Sequence, residues 1–293
     1  MKDLAYKIYR PQETAKAVLF VIHGMQEHQR RYEGFAEALN EKDIAAVTFD
    51  LPGHGESSSQ EDRGWFGEKD GWKNLVNSAV DIACLAQKEF PGIPLIMFGH
   101  SMGSMIARCF LQMHDGMLDA AILSGAPNYV GAAKLGKVIG AAVAKKEGKK
   151  GHSALMDNLA TGGFSKAVKD PRTPLDWLSY NEENVDRYIA DPDCGFPFTV
   201  QGYCDLFAGM VQMHDTKLYR CTKPQLPILF VAGEEDPCIG TRKGLSASED
   251  TLRQAGYTDI SEKVYAGMRH ETLNEKNAQL VIDDIIAWIE QHI

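Results

Sequence analysis

The chain has 293 residues, of which 44% are hydrophobic and 24% are charged, as is usual for a globular protein. Its formal net charge of −9 excludes a function that depends on broad contact with nucleic-acid phosphates, because such contact needs a basic surface. Six cysteines lack the spacing of a metal site, so we expect reduced thiols rather than disulfides. The sequence contains neither a secretion signal nor a membrane-spanning stretch of roughly 20 apolar residues, which predicts a cytoplasmic protein.

Short apolar segments alternate along the chain with segments of helical periodicity. A weakly alternating segment at 4–9 predicts an antiparallel edge strand. Buried strands are predicted by the apolar runs 17–22, 45–49, 95–98, 120–124, 228–232 and 262–265. Helices are predicted at 32–41, 75–90, 102–113, 244–255 and 276–292. This alternation predicts an α/β fold in which helices flank a mostly parallel central sheet.

The segment 127–222 interrupts the alternation, because it contains no convincing core strand. An unstructured loop of this length would be unusual in a compact domain, so we expect a helical insertion. Five apolar residues at helical spacing predict one amphipathic helix there: Leu135, Val138, Ile139, Ala142 and Val143. We therefore predict a core formed by 1–126 and 223–293. A helical cap, 127–222, would be inserted between the sixth and seventh core strands, over the sheet edge where α/β proteins bind ligands.

The strongest chemical signal is the sequence GHSMG at 99–103, which fits the pattern G-x-S-x-G. It follows an apolar run and precedes a helical pattern, and this strand–turn–helix context is the one in which the motif marks a nucleophile. The glycines leave room for a strained turn that lifts the hydroxyl clear of the sheet. The sequence therefore predicts Ser101 as a catalytic nucleophile.

A serine hydroxyl needs a neighbouring base, and that base needs an orienting acid. In proteins with this motif the acid and then the histidine follow the serine along the chain. His270 follows the last predicted strand and is the expected base. Asp236 follows the preceding strand and is the expected acid, with Glu234 and Glu235 as alternatives.

Acyl transfer also requires two backbone N–H groups that stabilise the oxyanion. One is expected from Met102, directly after the nucleophile. The other should come from the loop after the strand 17–22, where Gly24 allows close approach and Met25 is the expected donor. Read alone, this loop also fits an ordinary turn.

Together these segments resemble the monoacylglycerol lipase and lysophospholipase group of α/β hydrolases. The resemblance is carried by HGMQEHQRRY (23–32), DLPGHGES (50–57), GHSMG (99–103), GEED (233–236) and YAGMRHE (265–271). The cap segment PRTPLDWLS (171–179) resembles bacterial members in particular. The resemblance implies an α/β-hydrolase fold, the triad Ser101, Asp236 and His270, and oxyanion donors at Met25 and Met102. This chain departs from the group at Ser104, where a second glycine is usual, and its N-terminus looks short by one strand.

The expected substrate is a small-molecule or lipid-like ester with an apolar acyl group. Substrate contacts are expected from a set of loop, apolar and methionine residues, namely His23, Gly24, Phe198, Leu206 and Met210. Taken singly, each of these also fits ordinary core packing. The basic run 145–150 leaves open a transient contact of the cap with a membrane surface, although a solvated helix end explains its lysines equally well.

The same scaffold also serves other functions, so two alternatives remain. One is a peptidase or general carboxylesterase that acts on small substrates. The other is a non-catalytic ligand-binding protein, against which the complete set of triad residues argues. We expect no metal and no cofactor, because the triad reaction requires neither.

Overall fold

A central sheet runs through residues 4–293, the part of the chain that the computed structural model describes. Residues 1–3 of the predicted core segment 1–126 lie outside this part. The strands are Tyr6–Tyr9 (β1), Ala17–Ile22 (β2), Ile44–Phe49 (β3), Leu95–His100 (β4), Ala120–Ser124 (β5), Ile228–Gly233 (β6) and Ile260–Tyr265 (β7). Their order is β1-β3-β2-β4-β5-β6-β7, with β1 antiparallel to β3 and the other neighbours parallel.

The inner strands are buried along their whole length, because helices cover both faces of the sheet. In β2, Val18 and Phe20 pack into one apolar core, whereas Leu19 and Val21 pack into a second core on the opposite face. Strands buried on both faces have no polar side to alternate with, which explains their continuous apolar sequences. The predicted mostly parallel sheet is confirmed.

Helices form the outer layers. Their bounds are Glu33–Asn40 (α1), Gly71–Glu89 (α2), Met102–His114 (α3), Ala133–Glu147 (α4), Ala154–Ala160 (α5), Phe164–Ala167 (α6), Glu182–Ala190 (α7), Val200–His214 (α8), Thr241–Ala255 (α9) and Ala278–His292 (α10). Residues of α1 and α10 belong to one apolar core, and residues of α2, α3 and α9 belong to the other. Within 4–293, no helix combines the length and apolarity that crossing a bilayer requires.

The helices α4 to α8 lie between β5 and β6, the fifth and sixth strands of the sheet. The prediction of an insertion between the sixth and seventh strands was wrong by one strand. Within residues 4–293, five strands (β1 to β5) precede the inserted segment, whereas the prediction counted six. The inserted segment leaves the carboxyl end of β5, which lies at the predicted edge of the sheet.

The predicted helix in the inserted segment is present as α4, but only part of the expected apolar face is buried. Leu135 and Val138 are 60% and 66% exposed, whereas Gly136 and Gly140 are buried. A Cβ at Gly136 would come within 2.8 Å of the Phe207 ring on α8. The two helices therefore pack through small residues at close range. Ile139 and Val143 pack partly against the core, whereas Leu135 and Val138 point outward.

Candidate active site

The turn from β4 into α3 holds Ser101 in a strained backbone conformation, with φ 52° and ψ −120°. Its N–H donates to the carbonyl of Ser124 at the end of β5, 2.9 Å away. A side chain at Gly103 would collide with the carbonyl of Ile22, so only glycine fits this close approach of α3 to β2. These contacts fix Ser101 at the carboxyl edge of the sheet.

His270 and Asp236 meet at the ends of the last two strands. Asp236 follows β6 and accepts a hydrogen bond from the Cys238 N–H through Oδ1, at 2.8 Å. Its Oδ2 lies 2.9 Å from Nδ1 of His270, in the loop after β7. Since a carboxylate only accepts, Nδ1 carries the proton and Nε2 remains free to act as a base. Glu234 and Glu235, the alternative acids, are exposed on the same loop.

The loop after β2 brings a second backbone segment against the serine. A Cβ at Gly24 would lie 3.2 Å from Cβ of Ser101, so the absence of a side chain permits the approach. The N–H of Gly24 is held by Oε1 of Glu27, 2.5 Å away. Within residues 4–293, neither Met25 N–H nor Met102 N–H donates a hydrogen bond. Both are therefore available to a ligand oxygen beside Ser101.

These groups open onto a cavity of about 550 Å³ between the sheet edge and the inserted helices. The core contributes Gly24, Met25, Ser101 and His270 to its wall. The inserted segment contributes both apolar and polar side chains: Asp157, Asn158, Thr161, Ser165, Lys166, Pro174, Leu175, Trp177, Leu178, Tyr188 and Pro197. The Trp177 ring also lies 5.0 Å from the His270 ring, so the inserted segment touches the catalytic candidates directly.

Comparison with known proteins identifies the family. A model of the family Hydrolase_4, described as "Serine aminopeptidase, S33", matches residues 13–277. The chain belongs to this family.

Two curated relatives and one solved structure are similar to this hydrolase over nearly its full length. The monoacylglycerol lipase of Mycolicibacterium smegmatis is 27% identical, and the match covers 99% of this chain and 94% of that protein. Human monoglyceride lipase is 25% identical, with 97% and 86% covered. The crystal structure of a thermostable carboxyl esterase from Bacillus coagulans in complex with glycerol has a TM-score of 0.90 and 28% identity, with 99% and 94% covered. The predicted α/β-hydrolase fold and the predicted resemblance to monoacylglycerol lipases are confirmed.

The structure brings only part of the predicted substrate-contact set to the cavity. Gly24 lines it, whereas His23, Phe198, Leu206 and Met210 do not. His23 is buried below the loop, where its Nε2 accepts a hydrogen bond from Leu51 N–H at 3.0 Å. Phe198 packs edge-on against His54 and Phe66. These side chains therefore support the walls of the hydrolase site from behind, through core packing.

A buried ionic network behind the site was not predicted. Arg31 donates to Glu27 at 2.6 Å and forms a two-pronged pair with Glu271 at 2.7 Å. The carboxylate of Glu27 accepts a hydrogen bond from Gly24 N–H. Glu271 directly follows His270, and Asn184 of α7 donates to Glu271 at 2.6 Å.

Burial opposes the ionisation of Glu271, but the charge of Arg31 outweighs burial and lowers the pKa of this carboxyl. The network thus joins the oxyanion loop, the histidine loop and the inserted segment. The four-residue spacing of Glu27 and Arg31 was its only signal in the sequence.

Removal of the Arg31 charge should destabilise the hydrolase strongly. In Arg31→Met the carboxylates of Glu27 and Glu271 would stay buried without their cation, and breaking a buried pair in this way lowers the free energy of unfolding by about 3–5 kcal/mol. The adjacent residue offers a matched control. Arg30 is half-exposed and pairs with Glu56 and Asp193, so Arg30→Met should lower the same quantity by only about 0–1 kcal/mol. Urea unfolding of the two variants measures the difference, and equal losses would contradict this account of the network.

The pH dependence of activity should reflect the His270–Asp236 pair. Burial opposes protonation of His270, but the Asp236 carboxylate outweighs burial and raises the pKa of His270 well above 6.5. The base must be neutral to accept a proton, so kcat/KM should rise with pH and its inflection should lie above 6.5. Initial rates on a soluble p-nitrophenyl ester from pH 5 to 9 measure this inflection. A profile that is flat over this range, or an inflection below 6.5, would be inconsistent with this role for His270.

In the part of the chain that the structure describes, residues 4–293, two groups of three side chains have the donor atoms to hold a metal ion. They are His28, Asp191 and Cys194, and Asp236, Cys238 and His270. The second group shares Asp236 and His270 with the candidate triad. Burial raises the pKa of the Cys238 thiol to about 11, so this sulfur is protonated at neutral pH and is a poor ligand or nucleophile.

Proposed function

We propose that this hydrolase cleaves carboxylic esters with an apolar acyl group, of the monoacylglycerol type, through an acyl-enzyme on Ser101. The observation that carries the proposal is the convergence of four features at one cavity wall, which Ser101, His270 and Met25 line while Asp236 and Met102 adjoin them. These are the strained Ser101, the His270–Asp236 pair and the free N–H groups of Met25 and Met102. A nucleophile, an oriented base and two oxyanion donors are the groups that acyl transfer requires.

The reaction proceeds in two steps. Nε2 of His270 accepts the hydroxyl proton while Oγ of Ser101 attacks the ester carbonyl, and the oxyanion is stabilised by the N–H groups of Met25 and Met102. His270 then gives the proton to the leaving alcohol, and the acyl group remains on Ser101. In the second step His270 takes a proton from water, whose oxygen attacks the acyl carbonyl. The bond from that carbon to Oγ of Ser101 then breaks, His270 returns the proton to Oγ, and the carboxylic acid is released. Asp236 stabilises the imidazolium in both steps.

The composition of the cavity wall suits an acylglycerol. Leu175, Trp177 and Leu178 offer apolar surface for an acyl chain, while Asn158 and Thr161 offer hydrogen bonds for free hydroxyl groups. Two relatives named as monoacylglycerol lipases and a similar carboxyl esterase described with glycerol support this substrate class.

The family description also names an aminopeptidase, which would need a carboxylate to bind a substrate amine. Three carboxylates line the cavity, and each already has a partner in this chain. Glu27 and Glu271 pair with Arg31, and Asp157 accepts a hydrogen bond from the Tyr203 hydroxyl. This pairing favours an ester over a peptide with a free N-terminus.

A panel of substrates tests the proposal. Purified wild-type protein is given monoacylglycerols of increasing chain length, p-nitrophenyl esters of short and long acids, and aminoacyl p-nitroanilides. We expect the highest kcat/KM on monoacylglycerols and little cleavage of the anilides. Faster cleavage of the anilides would favour the peptidase alternative. Failure of a fluorophosphonate probe to label Ser101 would favour the non-catalytic alternative.

We further propose that residues 127–222 act as a cap on the core formed by 1–126 and 223–293. The support is their share of the cavity wall and the hydrogen bond from Glu271 N–H to the carbonyl of Leu178, 2.8 Å long. This bond ties the cap to the residue that follows His270. A cap that closes over the bound ester would exclude water from the first step.

Transient contact between the cap and a lipid surface is part of the same proposal. Aliphatic side chains on and beside α4 and α5 are exposed, namely Val130, Leu135, Val138, Leu155 and Leu159. Lys134 and Lys137 lie among them and suit anionic headgroups. The predicted basic run contributes less, because Lys149 and Lys150 pair with Glu68 and Asp62 of the core. The cytoplasmic location stays a prediction.

A further inference from the structure

We propose that a second cavity, built around Arg108, binds a small anion such as chloride, acetate or inorganic phosphate. Arg108 lies on α3, seven residues after Ser101, which is about 10 Å further along the helix. The cavity has a volume of about 90 Å³ and is lined by Arg108, Tyr129, Met213, His214, Ala247, Ser248 and Thr251. It is thus distinct from the catalytic cavity and too small for an acyl chain.

Arg108 carries a buried charge that the protein does not neutralise. Its side chain is 3% exposed, and its nitrogens donate to uncharged carbonyls, Nε to Ser104 at 3.2 Å and Nη2 to Pro127 at 2.8 Å. Within residues 4–293, no carboxylate forms an ion pair with Arg108, and Nη1 makes no hydrogen bond within the protein and keeps some contact with solvent. Buried guanidinium groups almost always have an anionic partner, because an isolated buried charge lowers stability by several kcal/mol. A small anion would supply that partner.

The remaining cavity wall carries no carboxylate that would repel an anion. The hydroxyl groups of Ser248 and Thr251 line the cavity and donate to the carbonyls of Gly244 and Ala247 within α9, so the guanidinium of Arg108 is the group that would bind the anion. At the mouth the Tyr129 ring stacks on the His214 ring, with centroids 3.9 Å apart. Burial lowers the pKa of His214, and the charges of Arg108 and Lys134 lower it further.

Burial lowers the pKa of Arg108 itself to about 10, so the guanidinium remains charged at neutral pH. A planar cation that lines a small space without a carboxylate fits a compact anion and excludes a bulky one. The cavity lies between α3, α8, α9 and Tyr129, which is in the segment that precedes α4. Because these elements pack together only in the folded protein, an anion bound among them would stabilise that state.

Thermal unfolding at constant ionic strength tests the site. Gluconate, which is too large for the cavity, serves as the background anion, and chloride, acetate or phosphate replaces it stepwise. Above the dissociation constant, each tenfold increase in the concentration of an anion that binds the cavity should raise Tm by about 2 °C. This increase should disappear in Arg108→Met and persist in Arg220→Met, which removes an exposed arginine instead.

A second variant keeps the test decisive if Arg108→Met does not fold. Ala247→Leu fills the cavity from the exposed face of α9 and leaves Arg108 in place, so it should also abolish the dependence of Tm on the small anion. Crystals grown in bromide should show anomalous density beside Arg108. Absence of any Tm increase in wild-type protein, or an equal increase in the wild-type and Ala247→Leu proteins, would overturn the proposal.

Discussion

Replacement of Ser101 with alanine should lower kcat on a monoacylglycerol by about 10⁶-fold, the loss that follows removal of a triad nucleophile. The variant has no oxygen that can form the acyl-enzyme, whereas the N–H groups of Met25 and Met102 and the cavity wall are retained. Substrate binding should therefore change little. Single-turnover assays with radiolabelled substrate measure the residual rate, and a fluorophosphonate probe reports loss of the covalent adduct.

Ser104 provides a matched control for this experiment. It lies three residues further along α3, is buried, and donates a hydrogen bond from its hydroxyl to the carbonyl of Ser101 at 2.7 Å. Ser104→Ala removes a hydroxyl of the same kind without removing the nucleophile, so kcat should stay within about 10-fold of wild type, the effect of one lost hydrogen bond. Near wild-type turnover by Ser101→Ala would refute the proposed mechanism.

Replacement of Asp236 with asparagine should lower kcat by about 10⁴-fold, although the side chain keeps nearly the same shape. An amide can donate to Nδ1 of His270, which favours the tautomer whose Nε2 carries the proton and cannot accept one from Ser101. The carboxylate that raises the pKa of His270 is also lost. The inflection in the pH profile should therefore move to lower pH as the rate falls.

Two neighbouring acids separate this role from a general effect of loop charge. Glu234 and Glu235 precede Asp236 in the same loop and are exposed. Glu234→Gln and Glu235→Gln each remove one negative charge, and both should retain kcat within about 3-fold, because exposed charges are screened. A loss in either variant as large as that in Asp236→Asn would show that the acid had been assigned to the wrong residue.

The sheet and the candidate triad could be predicted from the sequence because their signals are local. A strand buried on both faces is a short apolar run, and the turn at Ser101 needs glycines at fixed positions beside the serine. Asp236 and His270 were found because each directly follows a strand, and the ends of parallel strands meet at one edge. The prediction did not require knowledge of any distance across the fold.

The features that were missed depend on packing partners. The spacing of Leu135 and Val138 predicted a buried face, but α4 packs on α8 through Gly136 and Gly140, and hydropathy does not mark glycine as a contact residue. Likewise, the sequence around Arg31 and Glu271 does not indicate that the two side chains form a buried pair. Their burial results from the convergence of three loops, which no local pattern encodes.

The pairing of Arg31 with Glu271 also determines when the active site can form during synthesis. The two residues are 240 positions apart. At about 5–20 residues per second, a ribosome needs roughly 10–50 s to make the intervening chain. During that time Gly24 and Glu27 lack the cation and the histidine loop that hold them in place. A nascent chain therefore carries Ser101 long before it can hydrolyse an ester, and activity arises only when the last strand joins the sheet.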